Sequence, residues 1–239
     1  MPPSKQRPIM HEVPDCLWPS DHFSGISLLL PELQGLTVDL PVDIWGARQG
    51  RSKTTRHSAT VLFYTEDYRF EGVWDKPNTF LGGSIVNAGE CNFSLYTTTP
   101  PAVALYQTYR KRWLSRYWQE NGLRIFVDMN VSPNYYAMNL IGVPKGWKAY
   151  CSRGYTDRIA FTDQELEIAY EHAGCRPIFL LYGGGRKVYD WALAHASDGV
   201  LWVPEDIDAV HGNQIALDGH RNLLEATSDQ LTLEGVFNG

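Results

Sequence analysis

Several things are scarce or missing in this 239-residue chain, and each narrows what it can be. Positive charge is not in excess: 21 Lys and Arg against 27 Asp and Glu leave a formal net charge of −6. That argues against a broad basic face laid along duplex DNA, while leaving room for a local basic patch. No stretch approaches the ~18 consecutive apolar residues of a membrane span. The opening residues, Met1-Pro2-Pro3-Ser4-Lys5-Gln6-Arg7-Pro8, lack the apolar core of a signal peptide, which points to a cytoplasmic protein with no membrane partner. The four cysteines, Cys16, Cys91, Cys151 and Cys175, are scattered with no C-x₂-C pair, so metal-ligand spacing is absent. Free thiols packed as small apolar groups are the plainest expectation. Cys151, close to a strand end, is a candidate reactive thiol against the commoner buried one. No G-x-S-x-G elbow, H-E-x-x-H pair, P-loop or G-x-G-x-x-G occurs.

What is present is an ordinary globular composition, 44% apolar and 20% charged, with 13% aromatic residues, including 8 Trp and 13 Tyr. So many rings require some to sit partly at the surface or to line a cleft. Seven of the fourteen prolines fall before residue 42. Residues 1–57 therefore read as a proline-rich arm followed by a polar, basic linker around Arg51–His57. Residues 58–206 read as one α/β domain, and residues 207–239 as an acidic tail packed on it.

Within the domain, short apolar runs at 59–64, 84–88, 124–129, 147–151, 177–182 and 199–203 are bounded by turn residues. They are continuous rather than alternating, as in strands covered on both faces. Helical segments separate them. Thr99-Pro100-Pro101 offers an N-cap and a first-turn proline, and Gly122 a stop. Thr162-Asp163-Gln164-Glu165 has the form of a capping box, with Gly174 behind the helix. A third helix starts near Arg186. Alternating strand–helix units predict an α/β fold with a mostly parallel sheet. About six strands fit an open doubly wound sheet or an incomplete (β/α)₈-like barrel, with the barrel-like form preferred and the arm or tail able to supply missing strands.

In such folds ligands sit beyond the carboxyl ends of the strands. Those ends carry Glu66, Glu90, Asp128 and Arg153, which are the candidate catalytic residues; the carboxylates suit acid–base work or Mg²⁺, although no motif names a cofactor or a metal site. Capping of the next helix is the plainer role for any one of them. Asp128 stands out because it lies within an apolar run. Gly183-Gly184-Gly185-Arg186-Lys187 is the candidate phosphate-binding loop: glycines let backbone N–H groups approach an anion, and a helix N-terminus follows. A tight strand-to-helix turn explains the same glycines equally well. Arg110, Arg112 and Arg116, interleaved with Tyr106, Tyr109, Trp113 and Tyr117, form a candidate nucleic-acid surface. Their spacing also suits an amphipathic helix with its rings in the core and its cations in water.

The segments Tyr64-Thr65-Glu66-Asp67-Tyr68-Arg69-Phe70-Glu71-Gly72-Val73-Trp74, Asn92-Phe93-Ser94-Leu95-Tyr96, Tyr109-Arg110-Lys111-Arg112-Trp113, Gly142-Val143-Pro144-Lys145-Gly146 and Leu181-Tyr182-Gly183 resemble, in order, an uncharacterised domain family of bacteria, phages and mobile elements. The resemblance covers roughly residues 59–185. It implies an α/β, barrel-like domain and a phage or mobile-element setting, and no activity. The chain departs from the family pattern at Val127-Asp128-Met129-Asn130, which marks it as a divergent branch. Two functions follow as expectations. One is an enzyme that binds a phosphate-bearing small molecule or nucleotide at the strand ends. The other is a non-catalytic accessory protein that binds nucleic acid or a host protein through Arg110–Arg116 and the linker.

Overall fold

The computed structural model describes residues 18–21, 23–45, 60–81 and 84–205. The expectations for the basic linker and the acidic tail fall outside the described residues. Seven strands form one sheet: β1 (Val42–Ile44), β2 (Thr60–Leu62), β3 (Asn87–Gly89), β4 (Arg124–Asp128), β5 (Ala149–Arg153), β6 (Ile178–Tyr182) and β7 (Val200–Val203). Every neighbouring pair is parallel, and the spatial order is the chain order. A doubly wound sheet reverses its strand order at a switch point, and this one does not. Crossovers that always step the same way put their helices on one side and let the sheet curl. The helices are α1 (Gly72–Asp75), α2 (Pro101–Glu120), α3 (Tyr136–Asn139), α4 (Ile159–Ala173) and α5 (Gly185–Ala194).

The curl can be read from one ring contact. Tyr64, just past β2, stacks on Tyr182 at the end of β6 with ring centroids 6.0 Å apart. Four inter-strand steps on a flat sheet would hold them about 19 Å apart. The fold is therefore a half-barrel with its strand ends gathered around a common mouth. Six of the seven strands coincide with the expected apolar runs. The seventh, β1, comes from the proline-rich arm, whose described residues 23–45 include the buried Ile26, Leu29, Val38 and Ile44. Gln119 at the end of α2 binds that arm like a missing strand, accepting from Leu30 N–H at 2.8 Å and donating to the carbonyls of Leu30 and Leu33 at 2.9 Å each.

β4 is shared between two partners. Its first half pairs with β3 up to Phe126, and its second half, Val127 and Asp128, pairs with β5. Where β3 leaves, the side chain of Glu90 takes its place and accepts from the Asp128 N–H at 3.2 Å. A polar gap thus opens inside an otherwise apolar wall, beside a core in which Phe63 lies flat on Trp118, their ring planes 8° apart.

Candidate functional site

The polar gap is filled by α2. Lys111 and Arg112 are fully buried. Lys111 Nζ donates to Asp128 Oδ2 at 2.8 Å and to Asn139 Oδ1 at 2.9 Å. Arg112 forms an ion pair with Glu90 and donates to the carbonyls of Ile141 and Asn139. Asp128 Oδ1 also accepts from the Tyr64 hydroxyl at 3.0 Å and from the Asn130 N–H at 3.1 Å. A buried charge is tolerated only when paired and hydrogen-bonded, and here each carboxylate is both. Asp128 and Glu90 consequently lie beneath the strand-end surface with their accepting capacity taken up.

The same contacts correct the expectation of a solvated cationic face on α2. Arg110 points to Glu71 at 2.7 Å and covers the Phe93 ring at 3.8 Å. Arg116 pairs with Glu120 and donates to the Leu28 carbonyl at 2.6 Å. With Arg112, all three cations suggested for nucleic acid are buried and engaged within the protein. The physical reason is that the carboxylates of Glu71, Glu90 and Glu120 and the carbonyls of Leu28, Asn139 and Ile141 all lie within reach of α2 and take its donors.

Above this layer, at the carboxyl ends of the strands, lies an open cleft of about 700 Å³ whose walls include Tyr64, Glu66, Asp67, Tyr68, Tyr96, Arg153 and Tyr155. It adjoins a more enclosed compartment of about 160 Å³, walled by Asn130, Ser132, Arg158, Thr162 and Glu165 among others. Asn92, Ser94, Tyr96, Arg153 and Tyr155 line both. Two guanidinium groups approach the Tyr155 ring, Arg158 at 3.8 Å and Arg153 at 5.8 Å from its centroid. Arg153 pairs with Glu205 at 2.7 Å. Arg158, exposed to solvent in the wall of the smaller compartment, has no ion-pair partner among the described residues. Asp67 is held by Ser94, which donates from its N–H at 3.0 Å and its hydroxyl at 2.9 Å.

Of the four expected catalytic residues, Glu66 and Arg153 line the open cleft, whereas Glu90 and Asp128 form the layer below. Glu66 pairs with Arg69 at 2.5 Å on the exposed rim, where backbone and Arg69 hydrogen bonds hold its carboxyl below the usual range. Among the described residues, no three His, Cys, Asp or Glu side chains come together as a metal-binding set. Cys151 is buried, and burial together with Asp128 pushes its thiol well up, so the expected alternative of a reactive thiol is corrected to a packed one.

The glycine loop forms a tight strand-to-helix turn in which Glu205 engages one backbone N–H. Gly183, Gly184 and Gly185 all take positive φ. A Cβ on Gly184 would lie 2.5 Å from Val188 Cγ2 and 2.8 Å from the backbone of Gly154, so close strand-to-helix packing accounts for that glycine. The Gly184 N–H reaches Glu205 Oε1 at 3.3 Å. Arg186 pairs with Asp190 on the exposed surface, and Lys187 is exposed; neither lines the cleft.

Glu165 was hidden by its apparent capping role. α4 starts at Ile159, three residues before Thr162, so no capping box forms there. Thr162, Glu165, Ala169, His172 and Ala173 instead share its buried face. Its place three residues after Thr162 and four before Ala169 is the signal that would have put Glu165 inside. Its Oε2 accepts from the Ser152 hydroxyl at 2.5 Å, and burial pushes its carboxyl well above the usual range.

A family model matches residues 28–167. The chain belongs to the family described as domain of unknown function (DUF4417). That segment contains the buried ion pairs, both walls of the cleft and Glu165, and ends before the glycine loop and Glu205. The chain is 31% identical over 127 residues to the Gene 1 protein of Mycobacterium phage L5, covering 51% of this chain and 54% of that protein. It is 29% identical over 121 residues to the Gene 1 protein of Mycobacterium phage D29, covering 49% and 45% respectively. The chain thus spans about half the length of the curated relatives it matches. No solved structure matches it. A family with phage members is what the sequence motifs implied.

Proposed function

We propose that this phage-family protein binds a phosphate-bearing small molecule or nucleotide in the mouth of the half-barrel and acts on it as an enzyme. The observation that carries this reading is the cleft at the carboxyl ends of parallel strands, with Arg158, which has no ion-pair partner among the described residues, in the wall of the compartment that adjoins it. Ligands of parallel α/β folds bind at this end, and that guanidinium favours an anion. The tyrosines of the open cleft, Tyr68, Tyr96 and Tyr155, offer flat faces for a base or sugar. Catalysis is supported by Glu165, a carboxyl that keeps its proton to higher pH than usual within a cleft wall, which is the kind of group acid–base chemistry employs. No helix among the described residues is long and apolar enough to cross a membrane.

A thermal-shift screen against nucleotides, sugar phosphates, divalent cations and short single- and double-stranded DNA tests this. A phosphate-bearing ligand at about 100-fold above its Kd should raise the melting temperature by about 5–10 °C. Arg158→Ala should abolish that shift. A shift with DNA alone that collapses with added salt, or no shift with any phosphate compound, contradicts the reading.

A further inference from the structure

The smaller compartment holds polar groups that the protein itself leaves unengaged. Thr162 and Glu165, three residues apart on the buried face of α4, are each 4% exposed, and both line the compartment. The buried Ser152 hydroxyl donates to Glu165 Oε2 at 2.5 Å, which holds the carboxyl in place. The other carboxyl oxygen, Oε1, and the Thr162 hydroxyl bond to no described residue, and neither is sealed from the compartment. Polar groups this deep take a partner from solvent or from a ligand. Beside them the wall is apolar, with Leu95 and Val131 both more than nine-tenths buried and the ring of Phe161. The volume of about 160 Å³ is close to the ~150 Å³ of a cavity that admits one benzene ring. One six-membered ring fits such a space, and the fused rings of a purine overfill it.

We propose that this compartment is the base subsite of the cleft and takes a pyrimidine, with the Glu165 carboxyl and the Thr162 hydroxyl hydrogen-bonded to the edge of its ring. The inference rests on the reading of the cleft as a nucleotide site and names the base. Position 3 of a pyrimidine and the group on its C4 are always one donor and one acceptor. Burial holds the Glu165 proton to higher pH than usual, so its carboxyl offers a donor and an acceptor together and matches that edge. Leu95, Val131 and Phe161 supply the apolar contact that a flat ring requires. The walls shared by the two spaces leave the sugar and phosphate a way out to the open cleft, with Arg158 exposed to solvent beside them.

The test is calorimetric titration of the full chain with cytidine, uridine, adenosine and guanosine, with the 5′-monophosphate of each, and with inorganic phosphate and a panel of sugar phosphates. Cytidine and uridine should bind without a phosphate, at least about 10-fold more tightly than the purine nucleosides. Thr162→Val, which keeps the shape, should weaken them about 3- to 10-fold, and Glu165→Leu by more than about 10-fold. Glu165→Gln keeps a donor and an acceptor and should stay within a few-fold of the parent. Thr162→Val carries the test should Glu165→Leu fail to fold. Three results would overturn the inference and leave the proposed function intact: phosphate compounds that bind while no nucleoside does, purines that bind as well as pyrimidines, or pyrimidine binding unchanged in Thr162→Val and Glu165→Leu. No binding of any nucleoside, nucleotide or phosphate compound would overturn both.

Discussion

Taking Lys111, Arg112, Asp128 and Glu90 out of water is costly, and only complete mutual pairing makes it tolerable. Lys111→Met leaves Asp128 buried beside Tyr64 without its cation. It should lower unfolding stability by about 3–5 kcal/mol in denaturant titration, and adding Asp128→Asn should recover much of the loss. A neutral Lys111→Met would mean that the pair does not hold this part of the fold. His172 gives a second residue-scale expectation. Its Nδ1 meets the Tyr150 hydroxyl at 2.9 Å, and burial, Lys145 and Arg112 push its pKa down to about 4. Between pH ~6.5 and about 4 the unfolded chain binds a proton that the folded chain refuses. Stability should thus fall as pH drops through that window, by up to about 3 kcal/mol. His172→Gln should flatten the unfolding profile there, and an unchanged slope would show that His172 is not the group responsible. Glu165 has the opposite sign: its raised folded pKa means stability is lost as pH rises through it, and Glu165→Gln should remove that loss.

At the scale of elements, α2 does two jobs that its sequence does not advertise. Its middle supplies cations to the gap between β3 and β4, and its end fastens the N-terminal segment. Gln119→Ala should leave the sheet in place but speed amide exchange across residues 28–36, by releasing the three hydrogen bonds that Gln119 makes to Leu30 and Leu33. Unchanged exchange there would mean that Arg116 and the Gly35 N–H bond to the Ile125 carbonyl suffice. The strands were readable in advance because burial on both faces produces unbroken apolar runs, as in Phe179–Leu181. β1 was not, because three residues after a proline carry almost no pattern. The burial of Lys111 was not, because charge on a helix looks solvated until the divergence of two strands elsewhere creates a need for it. The start of α4 was misjudged by four residues, because a polar quartet imitated a cap at Thr162 where the cap is Arg158.

For the whole molecule, sequential parallel strands close towards a barrel, and that closure assembles the cleft from β2, β3, β4, β5 and α4. Residues 65 to 165 meet around Tyr155 only because the sheet curls, as the Tyr64–Tyr182 stack shows. That the carboxyl ends of the strands border a cleft was legible, since the alternation of strands and helices fixes which end of a parallel sheet is free. Which of their side chains face the cleft depended on register and on the split of β4, and neither has a signature in the chain. The most direct test of the central claim is hydrogen exchange followed by mass spectrometry, with and without a saturating phosphate-bearing ligand. The account predicts protection concentrated in residues 92–97, 130–133 and 153–165, the walls of the cleft. Protection confined to α2 or to residues 183–187, or none at all, would contradict it.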